Sequence, residues 1–210
     1  MFDSFELLSE HRINRRRRDE GRPAAAMLWP WSPGRAVALT PMSVGRGVAG
    51  AVVAGGLAAP GMGRLAGLSV VEVPGATGDL DTDYAAKARA ALSVLRDLPF
   101  VLVHVEAPMV ASRAGDVEAK VDAIERVDER LLGTLLDAIG KRGDFRILLT
   151  TDLVTPCAQG RPVEGAVPYL ISGNLEKPAS PCPPFDERAV EEVRHPLEEG
   201  WRLLSQFLAG

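Results

Sequence analysis

The sequence predicts an α/β protein with a parallel sheet and helices packed against it. Two observations carry this. Residues 23–78 hold short apolar runs bounded by glycine and proline, the texture of buried strands. Residues 79–209 then alternate strand and helix patterns at spacings that suit βαβ units with right-handed crossovers. A length of 210 residues fits one large domain or two small ones and buries a core without disulfide or metal staples.

Taken in order, residues 1–22 are polar and arginine-rich. Six arginines (Arg12, Arg15, Arg16, Arg17, Arg18, Arg22) stand among five acids, so the local balance is only +1 and no isolated basic arm results. Apolar runs follow at Ala26–Trp29, Ala51–Ala54 and Val70–Val73, each read as a strand. Asp81, Thr82 or Asp83 can cap a helix through Arg96 that turns Ala88, Ala91, Leu92 and Leu95 to one face. The run Phe100–Val105 is continuous and apolar around one histidine, as in a buried strand. Asp116 can cap the longest helix, reaching about Lys141, with Val117, Val121, Ile124, Leu131, Leu135 and Ile139 on one stripe. Strands are expected at Arg146–Thr151 and Val167–Ser172. Two helical pieces separated by Pro196 close the chain. Ligand sites in such sheets lie at the carboxyl ends of strands, which singles out the loops 74–78, 106–109 and 152–156.

Composition narrows the function. A net charge of −4 argues against a nucleic-acid partner. Two cysteines, Cys157 and Cys182, exclude a disulfide framework and a paired-cysteine zinc site. The longest uncharged stretch, between Arg46 and Arg64, is too short and too rich in glycine to span a membrane, and no targeting signal opens the chain, so the expected compartment is the cytoplasm. The segment Gly45–Gly50 spells G-x-G-x-x-G but precedes an apolar run instead of following a strand, so it is not a dinucleotide fingerprint.

Several segments in order resemble the archaeal-type cofactor-independent phosphoglycerate mutases of the alkaline-phosphatase-like superfamily. They are HRINRRRRDEGRPAA (11–25), LWPW (28–31), AGLSVVEVPGATGDLDT (66–82), Lys87 in DYAAKA, FVLVHVEAP (100–108), GDVEAKVDAIERVDERLLG (115–133), GDFRILLTTD (143–152), GAVPYLISG (165–173) and PFDERAVEE (184–192). The resemblance implies a phosphatase-like half-core with helices on both faces of a parallel sheet, preceded by part of an inserted α/β domain. Residues 1–80 would be the remnant of that inserted, substrate-side domain, and 81–210 the C-terminal part of the metal-binding core. It also implies transfer of a phosphoryl group between the 3- and 2-positions of glycerate, with two divalent ions, manganese or magnesium, neutralising charge and aligning the transfer.

The chain departs from that pattern where the chemistry sits. No match appears to the family's Asp-Gly metal motif or its nucleophilic serine. Where the family has an aspartate and a histidine after HVEAP, this sequence has Met109 and Arg113; where it has Asp-His after the next strand, this has Asp152-Leu153. Methionine is a soft, neutral ligand and arginine donates nothing to a metal, so Asp152 is the sole surviving ligand position and no metal cofactor is expected for this chain. Arg15, Arg18, Arg22, Thr77 and Lys87 are the candidate contacts for a phosphorylated three-carbon acid. The bland alternatives are a solvated helix end for the arginines, a simple turn around Thr77 and a surface helix position for Lys87. His104 reads as a satisfied core histidine rather than a general base. Arg113 pairs with Asp152 in the vacated site, or the loop has moved and turns it to solvent.

Three functions compete: a non-catalytic relative of the mutases, favoured by eroded ligands in an intact framework; a fragment active only with a separate N-terminal half; and an unrelated small-ligand or protein-binding α/β domain. A second copy of the chain is a further candidate partner, since unpaired strand edges template association.

Overall fold

The computed structural model describes residues 2–30, 33–174, 185–186, 188 and 196–209. Trp31, Cys182, His195 and the tail helix expected before Pro196 lie outside them. The chain forms two compact units, residues 1–38 and 39–210.

The first unit carries helices α1 (Phe2–Ser9) and α2 (Arg12–Asp19). Asn14 is its buried polar centre: Nδ2 donates to the carbonyls of Leu8 (2.7 Å) and Ala25 (2.9 Å), and Oδ1 accepts from the Ala25 amide. The strand expected at Ala26–Trp29 does not form. Met27, Leu28 and Trp29 are exposed, and no neighbouring strand among the described residues supplies the pairing an extended run needs.

The second unit is built on a parallel sheet of order β2-β1-β3, with β1 at Gly50–Val53, β2 at Ser69–Val71 and β3 at Phe100–Val103. Val52 stands opposite Val70 and Leu102, which fixes the register. Residue 80 falls within this unit, and the sheet draws β1 and β2 from before it and β3 from after it. Helix α3 (Met42–Gly45) precedes β1, and α4 (Ala58–Leu65) is the crossover from β1 to β2. Gly63 lets α4 approach the sheet: a Cβ there would lie 2.6 Å from Val52 Cγ1. Helix α5 (Tyr84–Val94) is the second crossover; of the three candidate caps, Asp83 performs the role, accepting from the Ala86 amide at 2.8 Å.

After β3 come α6 (Ala107–Ala114) and α7 (Val117–Arg126), the latter capped by Asp116 as its sequence requires. The long helix then departs from expectation. Val127–Gly133 is π-helical before α8 (Thr134–Ile139) resumes. The wider i→i+5 turn puts the two halves of the apolar stripe out of phase. Leu131 and Ile139 are buried, whereas Val117, Val121 and Ile124 are exposed and Ala123 takes their place in the core.

The last strands correct the all-parallel expectation. β4 (Arg146–Thr150) and β5 (Tyr169–Gly173) form a separate antiparallel pair. Residues 151–168 contain no crossover helix, only a Val154–Val163 bridge, and without one the chain returns antiparallel. The chain ends in a short 3₁₀ turn (Gly200–Arg202) and α9 (Leu203–Ala209). Leu204, Phe207 and Leu208 pack against a core cluster of Met42, Leu68 and Phe100.

A second core cluster gathers Tyr84, Ala88, Ala107, Ala123 and Leu131. The Tyr84 hydroxyl has no hydrogen-bond partner among the described residues, and burial raises its pKa, with Arg126 opposing. Tyr84→Phe is therefore expected to stabilise the protein by about 1 kcal/mol in urea unfolding at pH 7. A raised folded pKa holds its stability below the unfolded value and loses it as pH rises through the folded value. The variant should lose less stability above pH 10.0, the ordinary tyrosine value. Destabilisation by more than 1 kcal/mol would show instead that the hydroxyl is paired.

Candidate functional site

Three loops meet at the carboxyl ends of β1, β2 and β3. The chain leaves β1 through Gly55 and Gly56, β2 through Pro74–Gly78, and β3 through His104–Glu106. The approach is close enough to exclude side chains. A Cβ on Gly55 would lie 2.0 Å from the Thr77 carbonyl oxygen. A Cβ on Gly56, whose φ is +59°, would lie 2.6 Å from Glu106 Oε1, and one on Gly78 would lie 2.9 Å from Glu106 Oε2.

Lys87 ties this junction together from below. It stands on α5 at 0 % exposure, on the same stripe as Tyr84, Ala88 and Ala91. Its Nζ donates to the carbonyls of Thr77 and His104, both at 3.2 Å. Burial lowers its pKa, and the Glu106 carboxylate partly restores it. Glu106 is half-buried, with His104 Nδ1 3.6 Å from Oε1, beyond hydrogen-bonding distance. That buried Nδ1 makes no hydrogen bond, so His104 is not the satisfied core histidine the sequence suggested. The Thr77 hydroxyl donates to Asp81 at 2.6 Å and accepts from the Asp79 amide at 3.3 Å, which locks the loop.

The structure thus brings Thr77 and Lys87 together with Gly78 and Glu106 of the two loops the sequence singled out, gives Asp81 a contact with Thr77 in place of the cap, and adds Gly55 and Gly56, which the sequence did not mark. The signal for Lys87 was present: it falls three residues after Tyr84 and four before Ala91, within the buried stripe. Arg15, Arg18 and Arg22 belong to the first unit. Arg15 pairs with Glu10 at 2.6 Å, Arg18 donates to the Ser9 carbonyl at 2.8 Å, and Arg22 lies 3.5 Å from Glu20. All three pairings are at the surface.

The places where metal ligands were sought look different. Asp152 and Leu153 are exposed beyond β4, and Arg113 is exposed at the end of α6. No ion pair or hydrogen bond joins Arg113 to Asp152; Arg113 is exposed, and it stands on a helix rather than on the loop the sequence suggested. Among the described residues no group of three or more His, Cys, Asp or Glu side chains is placed to hold a metal ion. A single exposed carboxylate, with methionine, arginine and leucine at the other expected ligand positions, does not fit a divalent ion that needs several oxygen ligands.

The profile of the metalloenzyme superfamily matches residues 31–191. The chain belongs to that superfamily. Among its relatives is the 2,3-bisphosphoglycerate-independent phosphoglycerate mutase of Methanothrix thermoacetophila, 38% identical over 97% of this chain and 52% of the relative. A second is the mutase of Methanothermobacter thermautotrophicus, 38% identical over 97% of this chain and 50% of the relative. The chain spans about half the length of the curated relatives it matches. The cofactor-independent phosphoglycerate mutase of Thermoplasma acidophilum superposes over 97% of this chain and 48% of its own with a TM-score of 0.60, at 24% identity, a likeness of fold. The α/β fold class and the mutase resemblance both stand on these matches. The chain has a closely packed strand-end junction, and its described residues assemble no metal cluster.

Proposed function

We propose that this chain binds a phosphorylated three-carbon acid of the phosphoglycerate type and does not turn it over alone. One observation supports the reading: the glycine-lined junction clamped by Lys87 is closely packed, while the places expected for metal ligands hold Met109, Arg113, Asp152 and Leu153. In this reading Thr77 lies at the strand-end site and Lys87 acts through it as a positioning residue, while Arg15, Arg18 and Arg22 are candidate phosphate contacts on the first unit taken by itself. No resident metal takes part, and Asp152 is a leftover of the family's ligand set. The compartment is the cytoplasm; no helix among the described residues is long and apolar enough to cross a membrane.

The purified chain is expected to show no phosphoglycerate mutase or phosphatase turnover with added manganese. Isothermal titration should nonetheless detect 3-phosphoglycerate binding, weakened at least tenfold by Arg15→Glu with Arg18→Glu. Turnover above a heat-killed control and abolished by chelator would overturn the non-catalytic half. Equal affinity for glycerate and 3-phosphoglycerate would overturn the ligand.

The half-length match favours a second reading, in which the chain works with a polypeptide carrying the remainder of a mutase. Turnover that appears only on mixing the two would establish it.

A further inference from the structure

We propose that the first unit pairs with the same unit of a second copy of this chain. The Phe2–Phe5 face of α1 and the segment Met27–Trp29 pack across a two-fold axis, and Glu6 of each copy meets the partner's Arg12.

The first unit has no apolar core of its own. Asn14 is the one buried residue of its two helices, and among the described residues the buried apolar side chains begin only at Met42. Phe2 is 82 % exposed and Trp29 68 %, and Phe5, Leu7 and Leu28 are exposed as well. A unit of under about 40 residues is ordinarily held by a disulfide, a metal or association. Residues 1–38 contain no cysteine, and no group among the described residues is placed to hold a metal ion. Association is the remaining route.

Hydrogen bonds gather the exposed side chains into one patch. Asn14 holds Ala25 through both its amide and its carbonyl, and the Leu28 amide donates to the Ser4 hydroxyl at 3.1 Å. The segment 25–29 therefore runs back to the first turn of α1. Their spacing puts Phe2, Phe5 and Glu6 on one face of that helix. Aromatic side chains bury roughly 150–250 Å² each when covered. With Met27 and Leu28 beside three of them, the patch comes within reach of the ~800 Å² that each partner of a stable interface buries. Monomers rarely leave so much contiguous apolar surface open.

Charge selects a second copy as the occupant. Helix α1 carries Asp3 and Glu6 and no base, whereas α2 carries five arginines and one acid, Asp19. Arg15 and Arg16 pair within the unit, with Glu10 and Glu20. Asp3, Glu6 and Arg12 have no ion pair among the described residues. A two-fold axis that lays the acidic helix of one copy on the basic helix of the other makes both charge pairs at once. The unit is thus complementary to itself.

Sedimentation equilibrium on the full chain tests this at low salt, from about 1 to 100 μM, the weak end of the affinity range of standard interfaces. A dimer is expected. Glu6→Arg alone and Arg12→Glu alone should each weaken it at least tenfold, because each turns two symmetric attractions into repulsions. An equimolar mixture of the two variants should dimerise again, since each then supplies the charge the other lacks. An effect confined to one copy would leave the mixture as weak as its parts. Phe2→Ser with Trp29→Ser should give a monomer of unchanged circular dichroism; if that variant misfolds, the mixing experiment decides. Val121→Ser, at an exposed position on α7, should leave the dimer intact. The proposal is overturned by a dimer that Val121→Ser breaks or by a mixture no tighter than its single variants. A monomer throughout the range also overturns it, whether or not the remaining residues of a mutase bind this face.

Discussion

Gly55→Ala should lower the unfolding free energy by about 3 kcal/mol or more, above the middle of the range for overpacked sites. The added methyl carbon would sit 2.0 Å from the Thr77 oxygen, 2.1 Å from the Thr77 carbonyl carbon and 2.3 Å from the Gly78 nitrogen. These are backbone atoms, so no rotamer change can relieve the clash. The Pro74–Gly78 loop cannot retreat cheaply either, because Lys87 and Asp81 hold it at Thr77. For a chain of this size the loss corresponds to roughly 6–12 °C in melting temperature. Gly61→Ala supplies a control of opposite sign. Gly61 lies within α4, and a Cβ there meets nothing within 4 Å. That substitution should raise stability by up to about 1 kcal/mol through helix propensity. A Gly55→Ala melting temperature within 1 °C of the parent would show that the three loops do not pack as described.

The sequence carried the parallel sheet because Ala51–Ala54, Val70–Val73 and Phe100–Val105 are apolar runs with helix-length connections between them, and the observed strands fall within a residue or two of each. The caps were legible for the same local reason: Asp83 and Asp116 each stand immediately before a helical pattern. Three features escaped. The π-helical turn in IERVDER has no glycine or proline to mark it, so its phase shift shows only in which valines reach the core. The direction of β5 depends on the missing helix in residues 151–168, a signal the expectation of uniform βαβ units overrode. The ammonium of Lys87 reads as surface charge until its place in the Tyr84–Ala91 stripe is counted, and Glu106 becomes notable only once Gly56 and Gly78 are seen to close on it. The candidate site was thus legible as a set of loops but not as a set of contacts, since contacts across three strand ends leave no mark in local spacing.

Lys87→Met should destabilise the chain by about 2–4 kcal/mol at pH 7, because it strands two carbonyls and removes a counter-charge in one step. The carbonyls of Thr77 and His104 lose their donor, and Glu106 loses the cation that its carboxylate favours. Methionine fills most of the volume and avoids burying an ammonium, which offsets part of the cost. The pH dependence separates these contributions. Burial holds the Lys87 pKa in the folded protein below its ordinary value of 10.5. The unfolded chain therefore binds more protons than the folded one between the lowered value and 10.5, and stability from this residue rises with pH across that window. Below the window the full cost of burying the charge is present; above it the cost is gone. The methionine variant has no such gain, so the gap between parent and variant should widen as urea unfolding is repeated at pH 7, 8.5 and 10. Tyr84 titrates in both proteins and cancels in the difference. Glu106→Gln removes the group that favours the ammonium, so the window should begin at lower pH in that variant. A parent–methionine gap that stays constant or narrows with pH would mean that Lys87 reaches solvent and does not clamp the strand ends.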